Sequence, residues 1–386
     1  MAKGYRNPPM LYWLLYEQLH ARVSPFRVFE YVTSRTMFAS LSSLFMCVLL
    51  GPWMISKLRE LQIGQSIRED GPQSHHKKAG TPTMGGLLIM VSTIVPTLLW
   101  ANLTNVYVWI ALFGFVAFGV IGFIDDYAKV TNKRNLGLTA KQKFAMQMVV
   151  AALMTGVLAF MRYKNLYTTT LNVPFLKQIR EDLLLHSFMG NPYTYALAFL
   201  PFYIFVVLVV VGSSNAVNVT DGLDGLAAGL MVIAGSALTV LAFLGGNSVL
   251  SNYLQILRSP HTAELTIFCG SLTGASLGFL WWNSHPADIF MGDVGSLSMG
   301  GAIGVVAILI KQELLLLFIA GVFAIELMSV ILQVGSYKLR QKRIFKMAPI
   351  HHHFEALGWP ESKIIARFWI AGLVLALFAL TTLKLR

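Results

Sequence analysis

The hydrophobic positions of this chain gather into ten long runs that polar loops separate, with no clear internal repeat. A membrane helix needs about 20 apolar residues, and most of the runs come close to that length. The run at 297–310 is shorter and would have to take residues from its flanks. The pattern predicts an all-α integral membrane protein of ten transmembrane helices, with residues 36–386 as one domain. The runs are 36–56, 84–101, 106–124, 144–161, 193–213, 226–244, 265–282, 297–310, 314–337 and 364–383.

Residues 1–35 precede the first run and do not have the form of a signal peptide. Their apolar stretch, Leu11–Tyr16, is too short for that purpose. The aromatic side chains of Tyr12, Trp13 and Tyr16 suit the headgroup region of a bilayer. We therefore expect residues 1–35 to form an interfacial segment.

The composition supports a membrane protein. Hydrophobic residues make up 55% of the chain and charged residues 12%, whereas soluble domains carry about 25% charged residues. These values exclude a disordered protein, a nucleic-acid-binding module and a soluble enzyme of ordinary composition. The net charge of +12 indicates contact with anionic lipid rather than with nucleic acid. Cys47 and Cys269 both lie in apolar runs and indicate neither a disulfide framework nor a zinc site.

The acidic residues lie almost entirely in alternate loops. Seven of the eight aspartates fall in the odd-numbered loops, which are 57–83, 125–143, 214–225, 283–296 and 338–363. Because successive membrane helices alternate in direction, these five loops share one face of the membrane. Three of them carry five, five and six Lys or Arg residues, which predicts a cytoplasmic face and periplasmic termini.

Asp125 and Asp126 close the third run, and Lys129 follows them. Neighbouring residues on a helix point about 100° apart, so we expect the two acids to have different roles. One would face a metal or substrate while the other is held by a neighbouring group. The alternative is an ordinary helix end with a local Asp–Lys pair.

Four polar residues recur at every third position near the end of the fifth run, namely Asn215, Asn218, Asp221 and Asp224. In helical geometry this spacing predicts one polar stripe. Amides offer donors and acceptors, whereas carboxylates offer acceptors or metal ligands. The alternative is a polar seam between two helices, but two aspartates in the stripe favour a binding site.

The segment 290–296 leads into the eighth run and carries Asp293 between two glycines. Such a helix N-terminus suits phosphate, and an acid there can also hold Mg²⁺. The plainer alternative is that Asp293 or Ser296 caps the helix. Asn283 adds a nearby amide, and Phe290 either stacks on a planar base or anchors the interface.

Two further loops carry groups that suit phosphate oxygens. The loop at 77–86 combines cations and hydroxyl groups with a glycine turn, although it lacks the order of a Walker P-loop. The loop at 349–355 holds three consecutive histidines, which are better placed as donors toward phosphate than as zinc ligands. The candidate residues are Lys78, Thr83, His351, His352 and His353. We leave Glu326, an acid inside the ninth run, outside the site.

These groups together favour Mg²⁺ and a pyrophosphate substrate. Mg²⁺ prefers carboxylate and phosphate oxygens, and phosphoryl transfer is catalysed mainly by positioning and charge neutralisation. The membrane setting indicates that one of the substrates is a lipid.

Five motifs occur in order along the chain: KAGTPTMGG (78–86), DDYAK (125–129), NAVNVTDGLDGLA (215–227), FMGDVGS (290–296) and PIHHHFE (349–355). Jointly they resemble the motifs of the phospho-N-acetylmuramoyl-pentapeptide transferases, the MraY branch of the polyprenyl-phosphate N-acetylhexosamine-1-phosphate transferases. The resemblance runs from about residue 36 to the C-terminal end. The three-histidine form resembles this branch rather than the N-acetylglucosamine branch.

This resemblance implies a reaction, its partners and a location. UDP-N-acetylmuramoyl-pentapeptide and undecaprenyl phosphate would give lipid I and UMP, which is the first membrane step of peptidoglycan synthesis. The resemblance also implies ten spans, periplasmic termini, a cytoplasmic active-site cleft, the bacterial inner membrane and a homodimer.

The same hypothesis assigns roles to the candidate residues, with Asp293 and Asp221 as ligands of Mg²⁺. The catalytic residues would be Asp125, Asp126, Asp293 and His352. The substrate-binding residues would be Lys78, Thr83, Lys129, Lys141, Asn215, Asn218, Asp221, Asp224, Asn283, Phe290, His351 and His353. Because a phosphate monoester has a second pKa of about 6, we expect direct attack by the lipid phosphate. A covalent aspartyl intermediate is the alternative.

Two rival functions share some of these features. A sister transferase that uses UDP-N-acetylglucosamine would share the metal and lipid chemistry. A transporter would also carry polar residues within a helical bundle, but near the bilayer midplane. The acids of this chain lie instead at the ends of the runs, which argues against a transporter.

Overall fold

The computed structural model of the chain describes residues 11, 13–20, 23–61, 80–131, 137–176, 180–189 and 195–384. Over these residues the chain is helical, with no strand longer than an isolated bridge between Thr170 and Asp182. Ten long helices correspond one to one with the ten predicted runs. They are α1 (Val32–Glu60), α2 (Gly86–Trp100), α3 (Val106–Thr131), α4 (Ala140–Tyr163), α5 (Leu200–Thr220), α6 (Leu226–Gly246), α7 (Thr262–Asn283), α8 (Gly292–Ile310), α9 (Gly321–Arg340) and α10 (Glu361–Thr381).

The predicted all-α multi-pass membrane fold is confirmed. In the described part of the chain, nine of the ten helices are long and apolar enough to cross a membrane. The exception is α2, whose 15 residues extend about 22 Å, less than a hydrocarbon core of about 30 Å. This helix starts late because Met84, at a φ of 69°, turns the chain just before it.

Helix α8 lies at the centre of the bundle. Every residue from Val294 to Ile310 is buried, and the helix packs against α2, α3, α5 and α6. Its small residues permit this close packing. At Gly300, for example, a Cβ would lie 2.5 Å from the carbonyl oxygen of Ser213. The helix begins at Gly292, so the short predicted run does take residues from the preceding loop.

Buried charges away from the predicted motifs pair with one another. At the end of the bundle where α7 begins, Arg35 donates to both carboxylate oxygens of Glu264, at 2.9 and 2.7 Å. Just after α8, Lys311 donates to Glu313 at 2.6 Å. Each of these four side chains is buried, so each charge depends on its partner for compensation.

The N-terminal segment has two described helical turns, Trp13–Gln18 and Ser24–Glu30. Phe29 is buried and stacks on Trp100 at the end of α2, with the ring centroids 5.6 Å apart. The segment is thus attached to the bundle just before α1. Its predicted interfacial position stays a prediction, and residues 1–10, 12 and 21–22 lie outside the described residues.

Candidate active site

Three carboxylates from two helices meet where α8 begins. Asp125 and Asp126 lie near the end of α3 and Asp293 lies in the first turn of α8; one oxygen from each lies within 4.8 Å of the others. Asp125 and Asp126 are only 1% and 3% exposed. Because buried carboxylates are costly without opposite charge, this cluster requires cations.

Glycines allow α3 and α8 to approach so closely. A Cβ at Gly122 would lie 2.1 Å from the carbonyl oxygen of Asp293. Gly292 has a φ of +71°, and a Cβ there would lie 2.6 Å from Asp126 Oδ2 and 3.0 Å from Thr83 Oγ1. Glycine is therefore required at the turn into α8, and Thr83 lies beside the carboxylates.

Two lysines join the three carboxylates. Lys129 Nζ lies 2.6 Å from Asp125 Oδ2, 3.1 Å from Asp126 Oδ1 and 3.0 Å from Asp293 Oδ2. Lys143 Nζ lies 2.6 Å from Asp293 Oδ2 and 3.3 Å from Asp125 Oδ2. Among the described residues, these two ammonium groups face three carboxylates, and the excess of one carboxylate favours a further cation.

Lys143 is a site residue that the sequence prediction missed. The prediction named Lys141, which is exposed and which the structure does not bring into the cluster. Helix α4 begins with a capping box between Thr139 and Gln142, and the helical rotation then directs Lys143 inward. The available signal was the spacing of Lys143 and Gln147, which lie four residues apart and so share a helix face.

The predicted polar stripe at 215–224 is divided between partners. Asn218 Nδ2 donates to Asp293 Oδ1 at 2.7 Å and to Ser296 Oγ at 2.8 Å, whereas Asn215 Nδ2 donates to Gln147 Oε1 at 2.8 Å. The stripe is not continuous because α5 ends at Thr220. The last two residues of the stripe, Asp221 and Asp224, therefore lie in the turn 221–225.

Asp224 belongs to a second polar group in that turn. Its Oδ2 accepts from Ala287 N–H and lies 3.2 Å from His285 Nδ1. Its own N–H donates to Glu361 Oε1 at 3.0 Å. Neither His285 nor Glu361 lies in a recognised motif, so the sequence did not indicate these two residues.

Asp221 does not lie in the carboxylate cluster. The structure groups Asp293 with the two α3 aspartates instead of with Asp221, so the role of Asp221 as a metal ligand stays a prediction. Burial, together with the carboxylates of Asp293, Asp126 and Asp224, raises the pKa of Asp221 to about 8. This shift favours the protonated form of the Asp221 carboxyl group at neutral pH.

Asn283 and Phe290 both make hydrogen bonds with backbone atoms of the segments that form the site. Asn283 is buried; its Oδ1 accepts from Gly225 N–H at 3.0 Å and its Nδ2 donates to Ile289 O at 2.8 Å. Its amide is thus engaged with backbone on both sides, and the predicted role of Asn283 in substrate binding stays a prediction. Phe290 pairs through its backbone with Pro82, while its ring is partly exposed.

The three histidines occupy the short helix Ile350–Glu355 and point to different partners. His351 is fully buried, with Nδ1 3.1 Å from Glu326 Oε1. The predicted role of His351 in substrate binding stays a prediction. His352 Nδ1 lies 2.5 Å from Glu355 Oε2, and His353 Nδ1 accepts from Lys346 N–H at 3.1 Å.

Most predicted motifs therefore gather at one end of the bundle. The contacts described above connect the segments around Thr83, Asp126, Asn218 and Asp293. Lys78 lies outside the described residues.

Comparisons with known proteins cover the same segments. Residues 108–311 match the model of glycosyl transferase family 4, and residues 78–90 match signature 1 of the phospho-N-acetylmuramoyl-pentapeptide-transferases. A phospho-N-acetylmuramoyl-pentapeptide-transferase of Solibacter usitatus (strain Ellin6076) is 68% identical over 378 residues, which are 98% of this chain and 100% of that protein. A protein of the same name from Koribacter versatilis (strain Ellin345) is 61% identical over 380 residues, at 98% and 100% coverage.

Proposed function

The chain belongs to the phospho-N-acetylmuramoyl-pentapeptide transferases of glycosyl transferase family 4, and on this premise we propose how its carboxylate–lysine cluster carries out the reaction. The enzyme transfers phospho-N-acetylmuramoyl-pentapeptide from UDP-N-acetylmuramoyl-pentapeptide to undecaprenyl phosphate. The products are lipid I and UMP, and the reaction is the first membrane step of peptidoglycan synthesis.

The cellular setting is part of the proposal. The enzyme lies in the bacterial inner membrane with its cluster toward the cytoplasm and both termini in the periplasm. The basic odd-numbered loops support this orientation. We further propose that it acts as a homodimer, as the family resemblance implies.

The observation that carries the proposal is the meeting of three carboxylates and two lysines where α8 begins. Phosphoryl transfer depends mainly on positioning and charge neutralisation, and a helix N-terminus favours negative charge. Asp126 already uses this N-terminus, since its Oδ2 accepts from Val294 N–H at 3.1 Å. The diphosphate of the donor would lie beside the same cluster.

The reaction exchanges one P–O bond for another. An oxygen of undecaprenyl phosphate forms a bond to the phosphorus that carries the sugar. The bond between this phosphorus and the bridging oxygen breaks, and its electron pair leaves with UMP. The acceptor needs no strong base, because a phosphate monoester with a second pKa of about 6 is largely a dianion at neutral pH.

We assign the two lysines to the phosphates and the three aspartates mainly to positioning. Lys129 and Lys143 neutralise the carboxylates in the resting site, and substrate phosphates offer them alternative partners. Asp125 Oδ1 also accepts from Leu138 N–H at 2.8 Å. This contact holds the carboxylate of Asp125 in one orientation.

The cluster has the chemistry that Mg²⁺ requires. Mg²⁺ is commonly held by one or two carboxylates together with substrate phosphates, and three carboxylates with a residual negative charge fit this description. In our proposal Asp293 and one α3 aspartate would hold the ion, and the deprotonated carboxylate of Asp221 would be a further ligand. When bound, Mg²⁺ neutralises the diphosphate of the donor.

Release of UMP tests the proposed function. The purified chain should release UMP from UDP-N-acetylmuramoyl-pentapeptide when undecaprenyl phosphate and Mg²⁺ are present, and chelation of Mg²⁺ should stop the reaction. UDP-N-acetylglucosamine is the control donor and should give no turnover. Equal turnover with the control donor would contradict the donor assignment. UMP released without acceptor, in an amount equal to the enzyme, would contradict direct attack.

The affinity for Mg²⁺ is expected to rise with pH. Because the pKa of Asp221 is raised to about 8, ligation by this residue has to release a proton at neutral pH. Calorimetric titration with Mg²⁺ alone should give an affinity about eightfold higher at pH 8.5 than at pH 7. Asp221→Asn should remove this dependence. An affinity of the native protein that is independent of pH would contradict ligation by an Asp221 carboxyl group with this raised pKa.

A further inference from the structure

A buried acid in α9 pairs with the first of the three histidines. Glu326 and His351 are both 0% exposed, and Glu326 Oε1 lies 3.1 Å from His351 Nδ1. A carboxylate in the interior of a membrane bundle is costly without a partner. The imidazole of His351 supplies the polar partner that the side chain of Glu326 needs at this depth.

The pair is not saturated by other polar groups. Apart from the 3.1 Å contact between Glu326 Oε1 and His351 Nδ1, the described residues supply no hydrogen-bond partner to the polar atoms of either side chain. Buried polar groups in native proteins are normally satisfied, so an exception calls for a reason beyond packing. We find such a reason in the residues that surround Nε2, the second nitrogen of the His351 imidazole.

The free edge of the imidazole packs against the turn 221–225. A Cβ at Gly222 would lie 2.4 Å from His351 Nε2, so only glycine leaves room for the ring. Gly222 directly follows Asp221 and precedes Asp224 by two residues. The imidazole therefore lies between α9 on one side and the turn that carries both aspartates on the other.

We propose that Glu326 is a positioning residue of the transferase site. It orients the His351 ring, and the ring in turn holds the backbone of the turn at Gly222. This fixes Asp221 and Asp224 for the donor nucleotide, in the way that a carboxylate behind a ligating histidine fixes that ligand. The inference rests on the proposed function, because it concerns the same site and donor.

The experiment compares Glu326→Gln with a matched control, Glu313→Gln. Glu313 is also a buried acid in a pair, 2.6 Å from Lys311, but it lies beyond the opposite end of α8. We expect Glu326→Gln to lower kcat/KM for the UDP donor by about 10- to 100-fold. The KM for undecaprenyl phosphate should change less than about twofold, because the variant does not alter the contacts that bind the lipid. Glu313→Gln leaves the buried Lys311 without its partner and should lower the stability of the protein, but it should leave both kinetic parameters of the folded enzyme near native values.

Two further variants test the same contacts of the His351 ring with Gly222 and Glu326. In Gly222→Ala the added methyl group should displace the His351 imidazole from the turn. This variant should therefore show the same selective loss of kcat/KM for the UDP donor. Combined with Glu326→Gln, its effect should be less than multiplicative, because both changes disturb one contact. Glu326→Asp keeps the carboxylate and should restore part of the donor kcat/KM.

The affinity for UMP, measured by calorimetry without turnover, gives a second readout and should weaken in Glu326→Gln. If Glu326→Gln kept the native kcat/KM for the UDP donor, the proposal would be overturned. So would an equal loss for both substrates with unchanged affinity for UMP. If Glu326→Gln does not fold, Gly222→Ala and Glu326→Asp decide by the same criteria. Failure of the native chain to release UMP would instead overturn the proposed function.

Discussion

Asp293→Asn is expected to lower the rate of UMP release by about 100- to 1,000-fold. The carboxylate of Asp293 contacts both lysines of the cluster, at 3.0 and 2.6 Å, and accepts from Asn218 at 2.7 Å. Asparagine keeps the size of the side chain but removes the charge that both the lysines and Mg²⁺ require. Asp125 remains within reach of the two lysines, so the variant should fold.

Asp182→Asn is the matched control for this experiment. Asp182 lies in the loop between α4 and α5 and pairs with Arg162 at 3.7 Å, near the other end of the bundle. Its loss should leave transfer near the native rate. Both variants are compared by UMP release at saturating Mg²⁺, with gel filtration to confirm folding. A folded Asp293→Asn enzyme with more than about a tenth of the native rate would contradict the assignment.

Lys143→Gln should lower transfer by about 100-fold, whereas Lys141→Gln should change it less than about twofold. The two lysines are separated by one residue, yet only Lys143 reaches the carboxylates. Glutamine keeps most of the length and removes the charge that faces Asp293 and Asp125. In the resting site this leaves Lys129 alone against three carboxylates.

Steady-state rates of UMP release over a range of Mg²⁺ concentrations compare the two variants. If Lys141→Gln were the more damaging change, the assignment of Lys143 to the carboxylate cluster would be wrong. If neither change lowered the rate, the lysines would neutralise charge in the resting protein only.

Much of the fold follows from periodic patterns in the sequence. Ten apolar runs predicted ten helices, because the hydrocarbon core demands long apolar segments whose backbone groups are satisfied internally. The length of α2 was not predictable in this way. Its start depends on the turn at Met84 and on pairing of the preceding segment with residues 290 and 291, which are remote in sequence.

The candidate site was partly predictable for a similar reason. Alternation of spans placed the motif loops on one face, and the structure brings Asp125, Asp126 and Asp293 together there. The sequence did not distinguish Lys143 from Lys141, since that choice depends on where the capping box starts α4. It also left out Glu326, because an acid within an apolar run gives no indication of its partner.

The sequence by itself determined the membrane class, the order of the helices and the residue types that gather at one end. These follow from the composition, from the length of the apolar runs and from the alternating direction of successive helices. All three are properties of short segments of the chain. Only the tertiary structure decided which carboxylates share lysines, that His351 lies buried against Glu326, and that Asn283 supports backbone. Such contacts join residues far apart in the chain. They depend on glycines such as Gly122 and Gly292, where the absence of a Cβ lets two backbones approach.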